Sequence, residues 1–402
     1  MLLLIYHYKI KNIIFFYNII YTMKTYTEKI MQRIIENTDT TTNVGMIIAS
    51  PSNDPPYKYH WIRDSALVMR PILDMYNKTK DPIYFKHIIN YLENETKLQN
   101  LQTLSGLGEP KYNIDCTAYN DPWGRPQNDG PALRGIILFK LIDILKYKYD
   151  TLIEKLILPI ITKDIIYILK NYKKTSFDLW EENNGWHFYT RMVQLKFIKE
   201  TIKYIEYFDI DNVQLTCAYD ELLTSIKDHI NGESIISSFD IDGNIVKYED
   251  AANILAFCHI DYDKDILEHI KLEYGMHTCD NLIMYFRDKY KHDELNLIGR
   301  YKEDKYYDGQ IWIICSLAVA QFYIHLYQSR NIVKDKSPMH RSKSNPNNNF
   351  IEIANQILER ILTLDTDFIL PEQFNPITNE FISAKKLTWN YSELYLLINL
   401  LH

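Results

Sequence analysis

Glycine is scarce in this chain, at 12 of 402 residues. Neither GxGxxG nor a Walker pattern occurs, which argues against a loop built to cradle phosphates. HExxH and CxxC are absent too, and the histidines are scattered, so no metal-ligand spacing is found and no metal or organic cofactor is implied. The five cysteines, Cys116, Cys217, Cys258, Cys279 and Cys315, are odd in number and far apart. That is the pattern of free, mostly buried thiols rather than of a secreted disulfide framework. Positive charge is not in excess: the net charge is -7, which speaks against nucleic acid or an anionic membrane surface as the main partner.

Long apolar runs are missing as well. Residues 1–22 are rich in Ile, Phe and Tyr, but their longest clean run, Ile13 to Tyr17, is too short to span a bilayer. The segment has no uninterrupted signal core and no small-residue cleavage site. Residues 1–24 are therefore expected to be a poorly ordered N-terminal extension or an upstream start, Met23 being close by; a cleaved signal stays open. An intracellular location is favoured over secretion, and the sequons at Asn77 and Asn94 matter only if the chain is secreted.

What the chain does have is helical periodicity. With 46% apolar and 24% charged residues it reads as soluble, globular and able to bury a core. Apolar residues recur at 3–4 spacing over Pro131–Tyr147, Leu152–Ile168, His187–Tyr207, Gln310–Tyr327 and Phe350–Leu364. Weaker segments bring the count to about a dozen helices, with little strand alternation. Between them fall loops rich in Trp, Tyr, Arg and Asp around Trp61, Trp123, Trp180, Tyr248, Tyr306 and Glu372, at spacings of 62, 57, 68, 58 and 66 residues. One such loop before every second helix predicts an all-α fold of two concentric rings of six helices, an (α/α)6 barrel, with all six loops at one end. The alternative is a non-repetitive bundle with coincidental spacing. A single domain is expected over 25–402, with a disordered polar and basic insertion at 329–349.

The most telling loop is Asp178-Leu179-Trp180-Glu181-Glu182-Asn183-Asn184-Gly185, which sets three carboxylates and an indole within five residues and closes on a turn-forming Asn-Gly pair. An acidic run is usually a solvated face. Here an apolar ring lies beside a carboxyl group, which disfavours the charged form and suits an acid that protonates a glycosidic oxygen. In Tyr57-Lys58-Tyr59-His60-Trp61-Ile62-Arg63-Asp64, the adjacent Arg63 and Asp64 can hold neighbouring sugar hydroxyls, one donating and one accepting. Asp64 can also cap the helix that follows.

This loop resembles the YxYxWxRD segment of glycoside hydrolase family 15, the glucoamylases, and other segments are similar to that family in order. They are Gly106–Tyr112 (GLGEPKY), Trp123–Arg134 (WGRPQNDGPALR), the DLWEENNG loop with Phe188 and Thr190, Gly299–Tyr307 (GRYKEDKYY), Glu372-Gln373-Phe374 and Leu387–Tyr391 (LTWNY). The resemblance runs from about Gly45 to the C-terminus.

It implies a glucan 1,4-α-glucosidase with Glu181 as general acid and Glu372 as general base. The two carboxyl groups would be roughly 6.5–9.5 Å apart, leaving room for a water on the far face of the sugar. Glu182 would contact substrate beyond the cleaved bond, and Asp178 would support it. Arg63, Asp64 and Arg300 would grip the terminal sugar at the closed end of a pocket, making the enzyme exo-acting. Tyr57, Trp61, Trp123, Leu179, Trp180, Tyr306 and Trp389 complete the implied substrate-binding set, although large rings also pack in cores.

Several positions depart from the family pattern: Asn128 at a common Arg, Lys302 at a Pro, Asn390 at a Ser, and Asp308–Trp312 (DGQIW) at NGNPW. With 13 residues after Trp389, no separate starch-binding domain is expected, and soluble malto-oligosaccharide or glycogen-like α-glucan is the expected partner. Same-family hydrolysis of α-1,6-glucans or trehalose stays open. So does a non-catalytic glycan-binding module resembling the phosphorylase kinase regulatory subunits, though the presence of both Glu181 and Glu372 speaks against it.

Overall fold

The structure is a computed structural model that describes residues 24–38, 44–335 and 348–401. Twelve longer helices stand out among these: α1 (24–36), α2 (Ile62–Thr79), α3 (Pro82–Leu98), α4 (Asp129–Leu145), α5 (Leu158–Asn171), α6 (Phe188–Lys203), α7 (Asn212–Lys227), α8 (Ala251–His259), α9 (Leu272–Tyr290), α10 (Ile313–Asp335), α11 (Asn348–Leu362) and α12 (Thr388–Leu401). The even-numbered helices form a closed ring: α2 packs on α4, α4 on α6, α6 on α8, α8 on α10, α10 on α12, and α12 back on α2. From α2 to α11, each inner helix packs against the outer helix that follows it. This is the (α/α)6 barrel.

The two rings follow from sequence pattern. Every residue of α8 is buried, as are 14 of the 17 in α4, because these helices are apolar nearly all round. Outer helices carry one stripe; α7 buries Leu215, Ala218, Leu222, Leu223 and Ile226. Helix α4 can approach α6 closely because Gly135 has no side chain, and a Cβ there would lie 2.0 Å from the Phe197 ring. Asp81, Asp211 and Asp250 cap α3, α7 and α8 through backbone N–H groups two residues on.

The six lead-in loops all end at the start of an inner helix, so the inner N-termini share one end of the barrel. Short strands stitch these loops together. Tyr59–Trp61 pairs with Lys111–Asn113, Ser176–Phe177 with Asn184–His187, and Gln373–Phe374 with both Ile311–Trp312 and Phe381–Ile382, all antiparallel. Asn184-Gly185 is therefore strand, and the turn is made by 178–183 instead. Gly185 is needed for close approach, since a Cβ there would lie 1.9 Å from the Phe239 carbonyl oxygen of the neighbouring strand.

Three other expectations change. The insertion expected at 329–349 is helical at both ends, since α10 runs to Asp335 and α11 starts at Asn348, and 336–347 lie outside the described residues. Of the expected N-terminal extension only Lys24 is described, and it opens α1. Asn94 is buried and donates to the Val44 carbonyl at 2.7 Å, so it has no room for a glycan, whereas Asn77 is exposed. Among the described residues no helix is long and apolar enough to cross a membrane.

Candidate active site

The lead-in loops enclose a cavity of about 410 Å³. Thirteen of the fourteen residues singled out in the sequence line it: Tyr57, Trp61, Arg63, Asp64, Trp123, Leu179, Trp180, Glu181, Glu182, Arg300, Tyr306, Glu372 and Trp389. Its floor is made of the first turns of inner helices, with Arg63 and Asp64 on α2, Ile314 on α10 and Trp389 on α12. Beneath lie buried side chains of the inner ring, which close the barrel axis.

Asp178 is the exception. Its backbone carbonyl accepts from Glu181 N–H at 2.9 Å, and its Oδ1 accepts from the N–H groups of Glu182 and Asn183 at 2.7 and 3.1 Å. It folds the hairpin tip and does not face the cavity. The Lys247 ammonium beside it, together with these backbone donors, holds its carboxyl below the usual range despite burial. The turn puts Glu181 at φ 67°, in the left-handed region that a non-glycine residue occupies only when its surroundings enforce it.

Glu181 is held by three N–H donors from two other loops. Trp61 Nε1 donates to Oε1 at 2.7 Å, Trp123 Nε1 to Oε2 at 2.5 Å, and Arg63 Nη2 to Oε1 at 3.3 Å. The indole adjacent in sequence is not among them, because Trp180 turns away and donates to Asp250 at 2.9 Å. Asp250 is thereby shared between the Trp180 ring and the cap of α8, and burial pushes its carboxyl up to about 6. Lys111 is close enough to feel the Glu181 charge, its ammonium 4.6 Å from the Trp61 ring and 3.1 Å from that of Trp123, and burial lowers its pKa to about 8.

Glu372 has a different setting. It is 3% exposed, its backbone N–H donates to the Ala384 carbonyl at 2.7 Å, and the Ser383 hydroxyl donates to its Oε2. Burial pushes its carboxyl up to about 7, against the pull of Ser383, Tyr57 and Arg300. The hydroxyls continue as a chain, with Tyr306 3.2 Å from Ser383 and 3.0 Å from Tyr57.

Both arginines are fixed by carboxylates. Arg63 Nη1 donates to Gln127 at 2.9 Å and Asp129 at 3.0 Å, while its Nε is buried without a protein acceptor. Asp64 lies inside the first turn of α2 rather than capping it, the cap position being Trp61. Burial raises the Asp64 carboxyl to about 6, although Arg63 opposes the shift. Arg300 forks onto Asp304 at 2.8 and 2.6 Å, pairs with Glu182 at 2.8 Å, and lies 4.9 Å from the Trp312 ring. Glu182 also accepts from Tyr301 at 2.5 Å and Lys247 at 2.8 Å.

Sequence reasoning missed Trp312, Ser383, Lys111, Lys247 and Asp250 as site residues. Trp312 lines the cavity with its indole N–H buried and unpartnered. It was visible as the last residue of the altered 308–312 segment, whereas Ser383 and Asp250 carry no local signal. Asn128 is buried off the cavity, its Oδ1 accepting from Tyr167 at 2.7 Å, so this departure alters packing and not the pocket.

A deep cavity at the loop end of a six-hairpin barrel, with two carboxyl groups in contrasting settings among indoles and arginines, has the make-up of a site for glycosidic bond cleavage. The sequence matches Glycosyl hydrolases family 15 over residues 24–399, and the chain belongs to that family. It is 30% identical over 392 residues to Glucoamylase-1 of Arthroderma benhamiae, covering 87% of this chain and 64% of that protein, just under two thirds of its length. It is 27% identical over 433 residues to the intracellular sporulation-specific glucoamylase of Saccharomyces cerevisiae, covering 87% and 77%. The glucoamylase structure from Saccharomycopsis fibuligera shares the fold with a TM-score of 0.81 at 24% identity, over 94% of each chain.

Proposed function

We propose that the chain removes single glucose units from the non-reducing ends of α-1,4-glucans with inversion, Glu181 acting as general acid and Glu372 as general base. The observation that carries this reading is the pairing of the two carboxyl groups on one cavity whose floor is closed by the inner ring. Such a pocket admits a chain end and rejects a chain middle. Glu181 would give its proton to the glycosidic oxygen, and Trp61, Trp123 and Arg63 would stabilise the carboxylate that remains. Glu372 would take a proton from water attacking the opposite face of the sugar, a role suited to a carboxyl raised to about 7.

Arg63 Nε and the Trp312 N–H, both lacking protein acceptors, would donate to sugar hydroxyls, and Asp64 would accept. Glu182, held by Arg300, Lys247 and Tyr301, would meet the departing chain beyond the cleaved bond. The glucoamylase names of the relatives support α-glucan as the substrate class.

Proton NMR of maltotetraose hydrolysis tests this, with Glu181→Gln and Glu372→Gln alongside. The expected result is β-glucose as the first product, lost in both variants. First appearance of α-glucose would exclude inversion and the role given to Glu372, and absence of glucose would exclude the substrate.

A further inference from the structure

Trp389, on the floor of the cavity, opens a buried polar cluster. Its Nε1 donates to Glu393 Oε1 at 2.9 Å, one helical turn further along α12. The same oxygen faces Arg70 Nη1 of α2 at 3.3 Å and His259 Nε2 of α8 at 3.2 Å, while Oε2 accepts from Gln321 of α10 at 2.9 Å. The His259 Nε2 facing a carboxylate must carry the proton, so Nδ1 accepts, and the Tyr189 hydroxyl of α6 donates to it at 2.6 Å. Arg70 also faces Asp261 at 3.6 Å, which pairs with Lys140 of α4 at 2.5 Å. One carboxylate thus gathers side chains from every inner helix, directly from α2, α8, α10 and α12, through His259 from α6, and through Arg70 and Asp261 from α4.

We propose that Glu393 is a positioning residue for the glucose-binding floor, acting through the Trp389 indole, whose orientation it fixes. The inference rests on the glucoside-hydrolase reading above for the identity of the sugar. A buried glutamate is costly unless its oxygens are satisfied, and here four donors converge on them. The geometry explains why the carboxylate is there. Trp389 sits in an inner-ring helix whose packing alone would leave its N–H buried without an acceptor, and an unpaired buried donor would favour other ring orientations. Burial opposes the charged form, yet Arg70 and the His259 N–H hold the Glu393 carboxyl down to about 2, so it is ionised at neutral pH. Floor and ring would therefore keep one geometry across the working pH range.

Contacts of the terminal sugar with the floor exist before and during bond cleavage. Misplacing the indole should then raise KM more than it lowers kcat. The experiment measures glucose binding by titration calorimetry and maltose hydrolysis for the wild type, Trp389→Phe, Glu393→Gln and the double variant. Trp389→Phe keeps an aromatic ring and the ion cluster but removes the N–H, so the variant is expected to fold. It is expected to weaken glucose binding and raise KM by roughly three- to tenfold, the worth of one hydrogen bond. Glu393→Gln should do the same while also lowering the melting temperature. The double variant should match the weaker-binding single variant, because both changes act on one linkage, the first removing its donor and the second the charge on its acceptor.

Unchanged glucose affinity in Trp389→Phe would overturn the proposal even if Glu393→Gln fails to fold. So would affinity losses that simply multiply in the double variant. Maltose hydrolysis separates this from the reading it rests on. A wild type that cleaves maltose with a KM indifferent to either change sinks the positioning role alone. One that binds glucose with the expected coupling but never cleaves maltose sinks the hydrolase reading alone.

Discussion

Glu181 and Glu372 share a cavity but are treated in opposite ways. Glu181 stands on a left-handed backbone position at a hairpin tip, partly open, its oxygens filled by N–H donors that favour a negative charge. Glu372 is almost fully enclosed, held by hydroxyls that can donate or accept, and burial favours its neutral form. Under the roles proposed, the acid finishes the bond-breaking step as a carboxylate and the base finishes it as a carboxylic acid. Each group thus sits in surroundings matched to the form it ends in, not the form it starts from. Interactions that strengthen as charge shifts lower the barrier, whereas equal stabilisation of both states does not.

The severest way to break this comparison is to neutralise each group. Glu181→Gln and Glu372→Gln should each lower kcat by about 10²–10⁴-fold, the usual range for one acid or base. Steady-state kinetics on maltose checks this, and a variant within tenfold of wild type would remove its residue from the chemistry.

Next comes the set of N–H donors. Trp61→Phe or Trp123→Phe keeps an aromatic ring but withdraws one donor from Glu181, and kcat should fall by about 10- to 100-fold, as for a hydrogen bond to a charged group worth ~1.5–3 kcal/mol. The acidic limb of the pH profile should stay put, since that limb belongs to the other carboxyl group.

A smaller effect sharpens the Glu372 side. The base works ionised, so kcat/KM should fall as pH drops through its value of about 7. The Ser383 hydroxyl stabilises the charged form, so Ser383→Ala should move this limb to higher pH. Activity below the limb should drop by roughly three- to tenfold, with little change above it. A limb that moves to lower pH would mean that Ser383 accepts from a protonated Glu372.

The smallest change is the control. Asn128→Ala touches neither carboxyl group; kcat/KM should stay within about twofold, while thermal unfolding reveals a loss of about 1 kcal/mol from the Tyr167 bond.

The barrel was legible because its helices carry apolar residues at 3–4 spacing and its lead-in loops concentrate Trp, Tyr, Arg and Asp at a regular interval. Both are properties of local sequence. Less legible was which neighbour each side chain chooses. Trp180 abuts Glu181 in the chain, yet its indole bonds Asp250, 70 residues on, while the donors that reach Glu181 lie 58 and 120 residues away. Asp178 reads as a site carboxylate but spends its oxygens on the backbone of its own turn and on Lys247. Ser383 follows the catalytic candidate by 11 residues and returns to it only through the strand pair Gln373–Phe374 and Phe381–Ile382.

The bonds between loops also bear on how specificity could be transplanted. Loop one meets loop three through Trp61 and Glu181 and loop five through Tyr57 and Tyr306; loop two meets loop three through Trp123. Loop three reaches loop four through Trp180 and Asp250 and loop five through Glu182 and Arg300, and loop five reaches loop six through Tyr306 and Ser383. Although each loop hangs from its own helical hairpin, none is a free-standing module. A graft of loop three from a relative would arrive with its partners missing on four sides, and loop two would lose not only the Trp123 bond but also its strand pairing with Tyr59–Trp61 and the Arg63–Gln127 bond.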